Sequence, residues 1–151
     1  MKQNIETYLK ANSGAQRVFL SFSPKASIRI ITDLVEDVLI HQSRGKVYAS
    51  KFLEGQKPDM TFTIPHSATW EVLQAKHENP RDFLDHTIEA MMDPEIRKKT
   101  KIEIHIGLLK IVTYGYLKAL KMGGPKFFNI LKKNGLGSVN AVKKTLSKLI
   151  N

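Results

Sequence analysis

Three short segments of the chain place apolar residues at every second position, which is the pattern of a β-strand with one buried face. The segments are residues 26–32, 46–52 and 59–64, and turn-forming residues flank them. Residues 17–23 show the same alternation, with both faces fairly apolar. The spacing therefore predicts two hairpins, one joining 17–23 to 26–32 and the other joining 46–52 to 59–64.

Two further segments extend the predicted sheet. Residues 34–41 suit either a helix or a strand, and their β-branched content, with the Ser43-Arg44-Gly45 turn that follows, favours a strand. Residues 100–113 alternate most clearly of all. Their apolar positions change face near Gly107, which predicts a bulge or bend there.

The rest of the chain shows a helical period of 3.6 residues. It predicts an opening helix over residues 4–11, a helix over residues 67–77 with Ser67 as its N-cap, and a short helix over residues 116–120. Within the second of these, Trp70 is expected to face the sheet. These segments would form the layer that packs on the strands.

The best supported helix begins after Asn79. Asn is a favoured N-cap, Pro80 suits the first helical position, and Asp82 complements the positive end of the helix dipole. The Asp93-Pro94 pair ends the helix. Its buried face is predicted to be the apolar stripe Leu84, Ile88, Met91 and Met92.

Size and composition indicate one folded domain over residues 1–151. Hydrophobic residues make up 42% and charged residues 25%, which is enough apolar material for a packed core. The sequence has no cysteine, which excludes disulfides, thiolate metal sites and cysteine nucleophiles. No apolar stretch could span a bilayer and the N-terminus carries charge where an export signal would be apolar, so we expect a cytoplasmic protein.

Positive charge is concentrated in the last third of the chain. Residues 97–151 hold 13 Lys or Arg and one acid, Glu103, for a net charge of +12. The segment from about 125 to 151 is expected to be a basic helical extension, with a final amphipathic helix capped by Ser138. Such a region could bind an anionic membrane or nucleic acid, or could simply be a solvated surface.

No catalytic or metal-binding arrangement is apparent in the sequence. The five histidines, His41, His66, His77, His86 and His105, lack the spacing of helical metal-binding pairs. Nucleophile-elbow, phosphate-loop and dinucleotide-binding glycine motifs are missing as well. We therefore predict no catalytic residues, no metal and no cofactor, and the protein is expected to bind or carry a ligand without being an enzyme.

The order of local patterns from Gly45 to Leu120 resembles the sterol carrier protein 2 family of small lipid-binding domains. The resemblance covers about half of the chain. It rests on strand, helix and glycine-led segments in the family's order: Gly45-Lys46-Val47, the strand with a Pro-Asp start at 58–64, Trp70-Glu71-Val72-Leu73, Asn79-Pro80 with Phe83, the glycine-led segment 107–111 taken as a last strand, and 116–120.

The chain also departs from the family. A longer helix and an extra extended stretch lie between Asn79 and Gly107, and the C-terminal region is more basic. The resemblance implies an α+β fold with a curved, mainly antiparallel five-stranded sheet, helices over one face and an enclosed apolar cavity. It implies cavity-wall roles for Trp70, Leu73, Phe83, Ile88, Met92, Leu117, Leu120 and Phe128.

Two functions remain open at this point. The first is non-enzymatic binding and transfer of a fatty acyl chain, sterol or phospholipid, with the basic C-terminal region docking on anionic membrane through Lys143, Lys144 and Lys148. The second is a nucleic-acid-binding module that uses the same Lys-rich third of the chain, where aromatic residues lie among the lysines. A third, weaker reading is binding of an acyl thioester, whose phosphates would meet a basic rim.

Overall fold

The computed structural model describes residues 2–33 and 36–125. In these residues seven helices and five strands follow one another along the chain: α1 Lys2–Ala11, α2 Ser13–Leu20, β1 Ser27–Ile31, β2 Val38–Ser43, β3 Lys46–Lys51, β4 Met60–Thr63, α3 His66–Gln74, α4 Pro80–Met92, α5 Pro94–Lys99, β5 Lys101–Ile104, α6 Leu108–Thr113 and α7 Tyr116–Leu120. No helix in this part of the chain is long and apolar enough to cross a bilayer. The predicted basic extension, with its helix from Ser138, lies outside the described residues.

The five strands form one mixed sheet in the order β3-β2-β1-β4-β5. Three neighbouring pairs are antiparallel, and β1 pairs with β4 in parallel. The prediction of an α+β fold with a five-stranded, mainly antiparallel sheet is therefore confirmed, and the sheet is mixed because it contains this one parallel pair. The parallel pair arises because the chain, after β3, crosses back over the β2–β3 hairpin. It then places β4 along the edge of β1 that is not paired with β2.

The strand register makes one face of the sheet apolar. Ile28 lies opposite Ile40 on one side and Met60 on the other, and Met60 lies opposite Ile104. The residues between them on the strands, such as Arg29, point to the other face. The strand residues that both buried core clusters contain all lie on this apolar face, so the described helices that belong to these clusters pack against it.

The hairpins differ from those predicted. The hairpin of the structure joins β2 to β3 through the predicted turn, where Arg44 and Gly45 have φ angles of 51° and 73°. Positive φ at both central residues gives the turn a twist that matches antiparallel strands. The strand predicted over residues 34–41 is confirmed in part, since β2 covers Val38–Ser43. The two predicted hairpins are wrong, because neither pair of segments forms neighbouring strands of the sheet.

Residues predicted as a strand over 17–23 belong mainly to helix α2. Ala15 and Val18 are buried three residues apart, as one helix face requires, and Phe19 packs beside them. A segment that is apolar on both sides of a strand also satisfies a helix that is largely surrounded by protein. The alternation alone therefore did not distinguish the two structures.

The predicted strand over residues 100–113, which the family resemblance also placed at 107–111, ends early. Strand β5 stops at Ile104 and a helix, α6, begins after Gly107. In the helix Ile111 is buried, whereas Leu109 and Val112 are exposed. The apparent change of strand face near Gly107 is in fact a change from a strand to a helix.

Two helix starts show how local and tertiary caps differ. As predicted, the Asn79 side chain accepts a hydrogen bond from the Asp82 amide at the start of α4. Helix α3, however, begins at His66, and Ser67 is not its cap. The carboxylate of Asp33 accepts a hydrogen bond from the His66 amide at 2.7 Å, and this bond lowers the pKa of Asp33.

Gly14 allows α2 to approach the start of α4. A Cβ at this position would overlap the carbonyl group of Asn79, and the Gly14 amide donates to the His77 carbonyl at 3.1 Å. We expect Gly14→Ala to lower the free energy of unfolding by about 1–3 kcal/mol, because overlap with backbone cannot be relieved by rotating a side chain.

Gly107→Ala is the matched control, because no atom lies within 4 Å of the added Cβ. Its unfolding free energy in urea should stay within about 0.5 kcal/mol of the unaltered protein. A Gly14→Ala variant as stable as the control would mean that the gain in helix propensity outweighs the overlap.

Candidate functional site

An apolar pocket of about 240 Å³ lies between the sheet and the helices. The apolar face of the sheet forms one wall through residues of β1, β2, β4 and β5. Helices α1 to α4, α6 and α7 supply the rest of the wall. Together the two layers define an α+β protein with an apolar pocket between them.

Most of the wall residues implied by the family resemblance do line this pocket. They are Leu73, Phe83, Ile88, Leu117 and Leu120. Met92 is half-buried and packs against the core without reaching the pocket. Phe128 lies outside the described residues.

Trp70 does not face the sheet, so the prediction for this residue is wrong. Its side chain is 42% exposed and lies with Asn4 and Thr7 in a separate, more polar groove between α1 and α3. The indole stacks on the His66 ring with 6.0 Å between ring centroids. Ala68 and Val72 of the same helix face inward instead.

The sequence-based reasoning missed wall residues in two places. Phe19 and Phe22 line the pocket from α2 and the turn after it, where a strand was predicted. Tyr8 and Tyr116 line it from α1 and α7. Tyr116 lies on the predicted short helix. Its position in the wall, however, is fixed by a hydrogen bond to Asp59, which directly precedes β4.

At one side of the pocket, the Tyr8 hydroxyl begins a chain of polar contacts that reaches the surface. It hydrogen-bonds Nδ1 of the buried His77 at 2.5 Å, and Nε2 of His77 lies 2.8 Å from Nδ1 of His86. Nε2 of His86 lies 3.3 Å from a carboxylate oxygen of Glu71. Burial raises the pKa of Tyr8, so its hydroxyl remains protonated.

Asn12 holds this chain in place through the backbone. Its side-chain oxygen accepts a hydrogen bond from the His77 amide at 2.7 Å, and its side-chain nitrogen donates to the Tyr8 carbonyl at 2.7 Å. Burial of His77, and to a smaller extent the neighbouring His86, lowers the pKa of the His77 imidazole, while Asp82 acts in the opposite direction. His77 is therefore held in its neutral form.

A second tyrosine is tied down at another part of the pocket wall. The Tyr116 hydroxyl donates to the buried carboxylate of Asp59 at 2.6 Å, and the Ser27 amide donates to the same carboxylate oxygen at 3.0 Å. Burial, together with the bond to Asp59, raises the pKa of Tyr116. These contacts join α7 to the starts of β1 and β4.

A metal site is not formed by this arrangement. Within residues 2–33 and 36–125, no three His, Asp or Glu side chains are grouped so that they could hold a metal ion. The hydroxyl groups of Tyr8 and Tyr116 instead bond to His77 and Asp59. The surface that faces the pocket is therefore almost entirely apolar.

Comparisons with protein-family models and with curated proteins find no match. Among solved structures, one described as "UbiJ-SCP2 Ubiquinone synthesis protein" is similar to this chain with a TM-score of 0.44. The two are 13% identical in sequence, and the match covers 77% of this chain and 90% of the other. What the pocket of this chain can bind follows from its own residues.

The lowered pKa of His77 predicts that stability depends on pH. The unfolded chain binds a proton near pH 6.5 and the folded chain only at lower pH, so acid favours unfolding. The free energy of unfolding should be constant above this pH and fall by up to about 1.4 kcal/mol per pH unit as the pH drops from 6.5 towards 5.

Urea unfolding at several pH values between 5 and 8 would measure this slope. His77→Gln should flatten it, whereas His41→Gln, on the far face of the sheet, should leave it unchanged. An equal slope in all three proteins would assign the pH dependence to other groups.

Proposed function

We propose that this protein is a non-enzymatic carrier that binds the apolar part of a lipid in the pocket between sheet and helices. The candidate ligands are a fatty acyl chain, a sterol or a phospholipid tail. The observation that carries the proposal is the pocket lining, in which all of the described residues are apolar except two tyrosines and two threonines. An interior this apolar favours a ligand without charge along its buried length.

The size of the pocket sets the length of chain that it can hold. An engineered apolar cavity of about 150 Å³ holds one benzene molecule. By this comparison 240 Å³ accommodates roughly ten non-hydrogen atoms, which is a stretch of an acyl chain and less than the ring system of a sterol, so an acyl chain is the favoured candidate. Ten methylene groups leaving water contribute about 8 kcal/mol, which supports micromolar binding after the cost of association is subtracted.

A chain-length series would test the carrier function. Binding of normal alcohols from six to sixteen carbons, measured by calorimetry, should strengthen about fourfold for each methylene group and level off near ten carbons. Native mass spectrometry of protein purified without detergent should show a co-purified lipid. An absence of binding throughout the series would contradict the proposal.

A pair of variants of α3 provides the control. Ala68 is buried and lines the pocket, so Ala68→Leu removes pocket volume and should move the plateau to shorter chains. Gln74→Leu adds the same side chain at an exposed position of the same helix and should leave the plateau unchanged. Thermal unfolding of both variants would confirm that they fold.

We also propose that the ligand is exchanged at an anionic membrane surface, in the cytoplasm. In addition to the predicted contacts through Lys143, Lys144 and Lys148, helix α6 supports this. Leu109 and Val112 lie on one side of α6, 76% and 49% exposed, and the exposed Lys110 follows Leu109 in the sequence. The opposite side of α6 carries Ile111, which lines the pocket. An exposed apolar pair beside cationic residues suits the surface of an anionic bilayer.

Liposome sedimentation would test this docking. Leu109→Glu should weaken binding to vesicles that contain phosphatidylserine, whereas Leu53→Glu, at a leucine that is 57% exposed in the loop after β3, should not. Replacing Lys143, Lys144 and Lys148 with alanine should weaken it as well. Equal binding by all variants, together with oligonucleotide binding that survives about 0.15 M salt, would favour the nucleic-acid alternative.

A further inference from the structure

Four side chains form a continuous series of hydrogen bonds from the pocket wall to the surface, and we call them the histidine chain. The Tyr8 hydroxyl lies 2.5 Å from Nδ1 of His77, and Nε2 of His77 lies 2.8 Å from Nδ1 of His86. Nε2 of His86 lies 3.3 Å from the Glu71 carboxylate. A carboxylate only accepts, and a neutral imidazole donates through one nitrogen and accepts through the other. The positions of the protons therefore follow from the order of the groups.

Both ends of the histidine chain require the same direction of donation. Since the Glu71 carboxylate accepts from Nε2 of His86, Nδ1 of a neutral His86 must accept from Nε2 of His77. Nδ1 of His77 then accepts from the Tyr8 hydroxyl, which has no other partner in the described part of the chain. All three hydrogen bonds are formed together only when both histidines are neutral.

One added proton breaks this series of bonds. On Nδ1 of His86 it would place two N–H groups against each other. If the bonds reverse to avoid this, Nδ1 of His77 donates to Tyr8, and the Tyr8 hydroxyl hydrogen is left facing a pocket wall that is almost entirely apolar. A buried donor without an acceptor is costly, so protonation weakens the junction. Burial of His77 lowers its pKa, which agrees with this cost.

The acidic groups near the histidine chain belong to α3 and α4. Asp82, in the first turn of α4, raises the pKa of His77 against the larger effect of burial. Glu71 of α3 already accepts from His86, and Glu89 lies one turn after His86 on α4. These acids attract a proton to the histidine chain, but they do not supply the acceptor that the Tyr8 hydroxyl would lose.

The other groups beside His77 are uncharged or paired with each other. Tyr8 comes from α1, and Asn12 directly precedes α2. Lys76 and Glu78 flank His77 in the sequence and form an ion pair at 2.8 Å. The response of this junction to acid is therefore set mainly by the two histidines.

The histidine chain holds the part of the wall that separates the pocket from the groove between α1 and α3. Tyr8 and Leu73 line both spaces, so their side chains lie between them. The Phe83 ring packs against the rings of Tyr8 and His77, with centroids 6.3 and 5.8 Å away. Loss of the bond between Tyr8 and His77 therefore loosens the wall where the pocket is nearest to this groove.

We propose that the histidine chain is a pH-sensitive closure of the lipid pocket. With both histidines neutral the pocket is closed around its ligand, and one added proton opens it to water and weakens binding. This inference rests on the proposed carrier function and adds its regulation. Because the closed form holds fewer protons, ligand binding and proton binding oppose each other. An anionic membrane surface concentrates protons, so the closure would favour release of the ligand where exchange is proposed.

Binding of 1-decanol, which has no ionisable group in this pH range, would measure the effect. In calorimetric titrations at pH 8, 7, 6 and 5.5, the dissociation constant should be constant down to about pH 6.5 and then rise about three- to tenfold by pH 5.5. Titrations at pH 6 in buffers of different ionisation enthalpy should show that binding releases protons. Thermal unfolding at each pH would verify that the protein is folded.

Two histidine variants separate the closure from other effects of acid. His77→Gln keeps an acceptor for the Tyr8 hydroxyl but takes up no proton, so 1-decanol affinity should become nearly independent of pH. His41→Gln, on the far face of the sheet, is the matched control and should retain the dependence. If His77→Gln does not fold, Tyr8→Phe makes the same measurement, because it removes the hydroxyl whose acceptor is lost on protonation.

The outcomes distinguish this inference from the carrier function. An affinity that is equal at pH 8 and at the lowest pH where the protein is folded would overturn the closure and leave the carrier function in place. An equal pH dependence in His77→Gln, or proton uptake on binding, would do the same. Failure of 1-decanol to bind at pH 8 would overturn the carrier function and this inference with it.

Discussion

The parallel pairing of β1 with β4 is the contact on which the rest of the structure depends. It joins the β2–β3 hairpin to the β4–β5 pair, and its register sets Met60 opposite Ile28, so that the apolar face continues across all five strands. At the start of this pair the carboxylate of Asp59 accepts bonds from the Ser27 amide and the Tyr116 hydroxyl. A single buried acid therefore links two strands to α7. Since one buried hydrogen bond to a charged group contributes about 1.5–3 kcal/mol, this link is a substantial part of a domain's net stability.

The pocket exists because the helices cover the sheet without filling the space above it completely. Side chains in protein interiors normally pack closely, so unfilled apolar space lowers stability and suggests a role in binding. Most polar groups of the wall are bonded to protein partners behind it, which leaves apolar surface towards the ligand. Tyr8 illustrates the arrangement, because its ring lines the pocket while its hydroxyl contacts His77.

Helix α6 combines a cationic residue, Lys110, with exposed apolar side chains. Helix α6 lines the pocket through Ile111 and exposes Leu109 on its other side. If this helix inserts into the surface of a bilayer, a lipid could pass between membrane and pocket beside a wall that is already apolar. The same helix was the largest error of the sequence-based prediction, which treated it as a strand. Its helical form matters for the proposal, because only a helix separates Ile111 from Leu109 and Val112 in this way.

The sequence by itself determined the elements whose causes are local. Asn79 and Pro80 begin α4 because cap and first-turn preferences act within four residues, and the alternation in 46–52 forms β3 because its period matches a strand. Much of the pocket wall, including Phe83 and Ile88, followed from the helical stripe and the family resemblance. Only the tertiary structure decided which strands pair, since β1 and β4 are brought together by a long connection. It alone decided that Asp33 caps α3 and that Trp70 faces outward. These outcomes depend on partners distant in sequence, which a local pattern does not contain.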